Sequence, residues 1–173
     1  MATSLYDMSV ASYLQALDGV AAFLKRGFDH FTVNGVDPNA VVDARLADNM
    51  LPFSFQVVSV AHHSLGAIEG IRKGVFSPGG PQPAPGFSGL QKLVTDTGAA
   101  LRELDPAEVN AMEGKDVAFQ FGEFNMPFTA ETFVMSFSLP NFYFHATTAY
   151  DILRLKGVPL GKRDFMGRPR MKG

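Results

Sequence analysis

Four segments of this chain place an apolar residue at every third or fourth position, and that spacing commits most of it to amphipathic helices. The first runs through Tyr6, Val10, Tyr13, Leu17, Val20, Leu24, Phe28 and Phe31, a seam that predicts one helix over Leu5–Phe31. The second, Phe53–Val75, carries Phe53, Val57, Val60, Ala61, Ser64, Ala67, Ile68, Ile71 and Val75 on one arc. The third uses Leu90, Val94, Thr97, Leu101 and Leu104, with Ser88 and Gln91 in capping-box spacing. The fourth begins at Ala130 behind a Thr129 cap and continues through Leu139–Leu155, with a kink expected at Pro140 and Ser138 placed to cap the later part. Rods of this kind bury their seams by packing side by side.

The connections fit the same picture. Asn34-Gly35 ends the first helix, because both residue types accept the left-handed conformation of a helix stop. Asp37-Pro38 and Asp105-Pro106 each read as a cap and first helical residue of a short turn, the first lasting to about Asp43. Arg45–Pro52 is a connection, and Phe76–Phe87, rich in proline and glycine, reads as a loop. After Lys115 the period drops to two: Val117, Phe119 and Phe121, then Phe124, Met126 and Phe128, around Gly122-Glu123. That is a hairpin with a two-residue turn whose apolar face packs on the helices. The tail after Gly157 reads as a docked strand-like segment with a frayed end. The expected fold is all-α, a four-helix bundle with a β-hairpin insertion before the last helix, as one domain over residues 1–173.

Composition narrows the chemistry. The formal charge is −2 with no long basic run, so no nucleic-acid partner is expected. No cysteine is present, which excludes disulfides, thiolate ligands and a cysteine nucleophile. MATSLYDMSVASYL lacks the pattern of a signal peptide, and no apolar run nears the roughly 20 residues of a membrane span, so a cytoplasmic protein without membrane attachment is expected. Gly-rich phosphate loops, G-x-S-x-G elbows and His-Glu-x-x-His helices are missing.

The polar residues that demand explanation lie on the fourth segment. At about 100° per residue, Phe144, Leu155, Ile152, Ala149, Phe142 and Leu153 form one apolar arc, with Asn141, His145 and Thr148 near its middle. Positions i and i+4 share a helix face, so Asn141 and His145 can reach one ligand. On the second segment His63 is placed toward the bundle interior and His62 about 100° further round, toward solvent. His30 lies off the first seam. Two imidazoles and an amide from facing helices could hold an ion with a position open for substrate, or could pin helix register as a buried polar network, His145 bonding to Asn141, a tyrosine or a backbone carbonyl. Tyr143, Thr147, Tyr150 and Arg154 line a second face, read as packing against hairpin, tail or subunit.

The order of elements and PNFYFHATTAYDILRLKGVPLGKRDF, with SLYDMSV near the start and ARLADNMLPFSFQV before the second helix, resembles a bacterial family of unknown function in the DinB/YfiT-like superfamily. The resemblance spans essentially the whole chain and is most specific at the last helix and tail. It implies a four-helix bundle, homodimer formation and a nickel or zinc ion held by three histidines, and in some members thiol S-transfer using bacillithiol, mycothiol or glutathione. Carried over by position, His63 matches the histidine of the second helix. Asn141 and His145 match the His-x-x-x-His pair of the last, so one imidazole is replaced by an amide. Asp48 or Glu131 is the carboxylate that could compensate. The expected function is a divalent-metal-dependent enzyme related to the thiol S-transferases, with a small-molecule or thiol substrate. The alternative is a non-catalytic dimeric bundle that keeps the site as a polar network or small-ligand pocket.

Overall fold

The computed structural model describes residues 3–79 and 85–171, so the centre of the expected Phe76–Phe87 loop and the last two residues of the tail lie outside the described residues. The first helix is two: α1, Leu5–Met8, and α2, Val10–Val33. The break falls at buried Ser9, whose hydroxyl donates to the Leu5 carbonyl at 2.5 Å and competes with the backbone for the helical acceptor. Helix α1 finds partners for its free N–H groups far along the chain: Leu5 N donates to Glu113 Oε1 at 3.1 Å and Tyr6 N to Asn110 Oδ1 at 2.9 Å. Asp37 caps a 3₁₀ turn at Pro38–Val41, as its sequence predicts.

The second rod also breaks, again at a serine. Helix α3 spans Phe53–His62 and α4 spans Leu65–Lys73, with His63 and Ser64 between them. The Ser64 hydroxyl donates to the Val60 carbonyl at 2.8 Å, the same device as at Ser9. The single helix expected over Phe53–Val75 is therefore corrected at both its middle and its end. Val75–Phe76 is a strand, β1, so Phe76 belongs to a sheet and not to the loop.

Helix α5, Phe87–Arg102, starts one residue before the expected capping box. Its N-cap is Gly86, and the Asn39 side chain satisfies Phe87 N at 3.0 Å, which leaves Ser88 no capping role. Asp105 caps α6, Pro106–Asn110. The hairpin is as expected: β2, Asp116–Phe121, pairs antiparallel with β3, Phe124–Thr129, and Phe121 faces Phe124 across the turn. Gly122 takes φ +59° while Glu123 keeps a negative φ, the arrangement of a tight turn with glycine first. Strand β1 adds in parallel to β2, giving the order β1-β2-β3. Val117 is buried against the bundle, whereas Phe121 and Phe124 stand exposed at the tip.

The last rod is continuous and irregular. Helix α7, Ala130–Phe133, is capped by a reciprocal Thr129–Thr132 box. A π segment, Val134–Ser138, then leads into α8, Leu139–Leu155. Pro140 offers no N–H and its ring crowds the carbonyl four residues back, so the preceding turn widens. Ser138 therefore lies inside the rod and is not a cap. The buried face of α8 is Phe142, Ala146, Ala149, Ile152 and Leu153; Phe144 and Leu155, expected on it, are 55% and 65% exposed. Asn141 and His145 accordingly sit at the edge of the buried face, half-buried.

Helices α2, α5, α3 and α8 pack in a ring, each against its neighbours, around a core in which Phe87 stacks on Phe53 at 5.7 Å and meets Phe28 and Phe31. The tail is helical where a strand was expected: α9, Lys162–Met166, lies on α2. Arg26 donates to Asp164 at 2.5 Å and to the Pro159 carbonyl at 2.8 Å, and Tyr150 packs edge-on between Phe23 and Phe165. Of the face Tyr143, Thr147, Tyr150 and Arg154, the tail packs on Tyr150 and accepts from the exposed Arg154, which donates to the Leu160 carbonyl at 2.7 Å. No helix among the described residues is long and apolar enough to cross a membrane.

Candidate functional site

The break between α3 and α4 and the π segment ahead of α8 face each other, and the site lies where they meet. The Ser138 hydroxyl donates to the carbonyl of His63 at 2.6 Å. Its oxygen then accepts from the Tyr13 hydroxyl at 2.8 Å. A buried chain from α2 through the π segment thus ends on the residue that interrupts the second rod. Burial pushes the Tyr13 phenol up, so it stays a donor at any physiological pH.

His63 is 9% exposed and its ring centroid lies 5.7 Å from that of His145, the two planes 20° apart. The structure thus brings the two imidazoles together. Phe76 and Phe137 flank His63 at 5.4 and 5.9 Å, and Phe55 and Phe144 meet His145 edge-on at 5.8 and 5.3 Å. His62 is not a free solvent-facing histidine: it stacks on Phe76 at 4.4 Å and donates from Nε2 to the Ser77 carbonyl at 2.8 Å.

Hydrogen bonds fix which atoms remain free. Gln56 Nε2 donates to the Leu51 carbonyl at 2.8 Å, which turns Oε1 toward His145 Nδ1 at 2.7 Å. An amide oxygen only accepts, so Nδ1 carries the proton and Nε2 keeps its lone pair. The partner of His145 is therefore Gln56, not Asn141. Asn141 instead donates from Nδ2 to the Phe137 carbonyl at 2.7 Å, which leaves Oδ1 as an acceptor. His63 Nδ1 is buried with no partner among the described residues.

Burial lowers both imidazoles, His63 to about 3 with help from its two histidine neighbours and His145 to about 4. Both rings are neutral at pH 7. An unfolded chain protonates them near pH 6.5 while the folded one does not, so the unfolded state binds more protons below that point. Stability is expected to be full above about pH 6.5 and to fall as the pH drops toward 4 and 3. Urea unfolding across this range should show that slope, and His63→Leu should flatten part of it. A wild-type stability constant from pH 7 to about pH 4 would contradict the assignment.

An oriented neutral imidazole whose second nitrogen is held by an amide or carbonyl is the usual state of a histidine metal ligand. His145 Nε2, His63 and Asn141 Oδ1 are of the donor types that a borderline cation such as nickel or zinc would take, two imidazoles and a weaker amide oxygen. Glu131 is not part of this set, since it accepts from Gly114 N at 2.6 Å at the base of the hairpin, and Asp48 is exposed on the Arg45–Pro52 connection. Among the described residues no group of three or more His, Asp or Glu side chains is placed to hold an ion.

Gln56, Ser138 and Tyr13 were not singled out from the sequence as site residues. Gln56 lies two helical turns before His63, a spacing that shares a face. Tyr13 sits in an apolar seam, where a buried hydroxyl must find a partner.

The mostly helical chain, with its small sheet, has a DinB-like fold. The structure superposes on the crystal structure of a DinB family member protein from Shewanella denitrificans with a TM-score of 0.80, 23% identity, and coverage of 98% of this chain and 95% of that one. The chain belongs to the family described as domain of unknown function DUF1993, whose model matches residues 5–166. No match was found among curated proteins.

Proposed function

We propose that this protein binds one nickel or zinc ion through His63 and His145, with Asn141 as a weak oxygen donor, and that the positions left open serve a metal-dependent reaction on a small molecule or thiol. The observation that carries this reading is the unpartnered, buried and neutral His63 beside an imidazole whose free nitrogen is fixed by Gln56. Such an ion lowers the pKa of a bound thiol or water. The chain's own part is to hold His145 in one tautomer through Gln56 and to hold His63 at a helix break through Ser138. It also keeps both rings uncharged and surrounds them with phenylalanine that limits water. Any thiol comes from the substrate, since the protein has none.

The bonds from His145 to Gln56 and from Asn141 to the Phe137 carbonyl favour a second reading, in which the cluster is a metal-free polar network within a non-catalytic bundle. Elemental analysis of protein purified without a histidine tag separates the two. The first reading expects stoichiometric nickel or zinc, lost in His145→Ala, and a melting temperature that rises on adding nickel to stripped protein. Protein that is free of metal and indifferent to nickel and zinc leaves only the second.

A further inference from the structure

Between Asp48 and Glu69 the chain carries no Asp, Glu, Lys or Arg, and it carries none between Glu131 and Asp151, although it has 15 basic and 17 acidic side chains. The first gap holds all of α3 together with His63, and the second holds the π segment and α8 as far as Tyr150. Helices α3 and α8 pack on each other, so the two gaps meet at the histidine pair. Burial does not explain them. Phe55 on α3 and Phe144 on α8 are 41% and 55% exposed, and Leu51, Met135 and Tyr143 are exposed as well. Solvated positions on other helices are charged and paired, as in Lys25–Asp29 on α2, Lys73–Glu69 on α4 and Lys92–Asp96 on α5.

Inside this charge-free surround the histidine pair has bonding capacity that the fold leaves unmet. His63 Nδ1 is buried without a partner among the described residues, and His145 Nε2 keeps its lone pair because Nδ1 is tied to Gln56. No carboxylate or cation acts on either imidazole, which burial and the neighbouring histidines alone hold neutral. A ligand carboxylate or ammonium entering here loses water and meets no opposite charge. An aromatic ring instead gains contact with Phe55 and Phe144, which already meet His145 edge-on.

We propose that the substrate of this site is a neutral compound with an apolar or aromatic body and one polar reacting group, the group directed at His63 and His145 and the body against Phe55 and Phe144. This rests on the reading of the histidine pair as a ligand site, and it excludes glutathione, whose carboxylates and ammonium find no partner there.

Benzyl mercaptan and 4-(mercaptomethyl)benzoate share a ring and a thiol and differ by a carboxylate, which cannot chelate an ion together with the thiol from across the ring. The third probe, 2-mercaptoethanol, lacks the ring. Each is titrated into full-length protein with ¹³C-labelled histidine, once stripped of metal and once with an equivalent of zinc. Benzyl mercaptan is expected to move the ring signals of His63 and His145 but not that of His30, and to bind at least about tenfold more tightly than either other probe. Phe144→Arg, which sets a cation at an exposed position beside His145, should reverse the order of the two aromatic thiols. Histidine signals that ignore zinc refute the ion and leave this inference to be decided by the same probes on the stripped protein. The inference is overturned if the carboxylate analogue or 2-mercaptoethanol binds as tightly as benzyl mercaptan, or if Phe144→Arg leaves the order unchanged. It is equally overturned if no probe moves His63 and His145 up to about 2 mM, within the millimolar range of weak ligands. Sedimentation as a dimer alongside that silence would give the charge-free face to a second copy of the chain.

Discussion

Ser138→Ala is expected to lower stability by about 2–4 kcal/mol, far more than loss of one exposed hydroxyl, because it strands two buried groups at once. The Tyr13 hydroxyl loses its acceptor and the His63 carbonyl loses a donor. Tyr13→Phe should cost less, about 0.5–1.5 kcal/mol, since Ser138 keeps its bond to His63. In the double variant no unpaired phenol remains, so the combined loss should fall short of the sum of the single losses. Chemical denaturation of the four proteins measures the cycle. Strict additivity, or a Ser138→Ala loss below about 0.5 kcal/mol, would show that the chain does not couple α2 to the helix break.

Gly19→Ala sets two physical rules against each other. In the interior of a helix, alanine is favoured over glycine by about 1 kcal/mol. Here a Cβ on Gly19 would lie 2.3 Å from the carbonyl oxygen of Phe165, a backbone atom that cannot rotate aside. The geometric effect is expected to win: α9 lifts off, the contacts of Tyr150 with Phe165 and of Arg26 with Asp164 are lost, and net stability falls by about 1–3 kcal/mol. Limited proteolysis should then cut within residues 158–171 in the variant well before wild type. A variant that is more stable than wild type and equally resistant would mean that the tail adapts without cost.

The bundle was legible because its signal is redundant. Each seam repeats the same spacing several times, and the Gly122-Glu123 turn and the Thr129, Asp37 and Asp105 caps are local chemistry that needs no distant partner. Both helix breaks were missed for one reason. A serine inside an apolar seam satisfies the periodicity, and only the backbone shows that Ser9 and Ser64 have turned their hydroxyls onto preceding carbonyls. Ser138 misled in the opposite sense, since a serine two residues ahead of a proline matches a cap, yet the rod runs straight through it by widening. At the site, helical spacing placed His63 and His145 on facing rods but could not assign their partners. The Gln56 side chain, not Asn141, meets His145 because Asn141, one helical turn closer to the π segment, donates to the Phe137 carbonyl. The tail's helix depends on Arg26 and on the close approach at Gly19, both far away in sequence.

The ring of helices also has a temporal side. Helix α2 is covered by α5, α8 and α9, all of which are synthesised after it, and α1 waits for Asn110 and Glu113 to quiet its first amides. At roughly 5–20 residues per second, the apolar stripe of α2 emerges several seconds before α5 can shield it. The last of these along the chain, α9, emerges only after α5 and α8. The stripe of α2 is thus made before any of the helices that cover it, and α9 closes over it last.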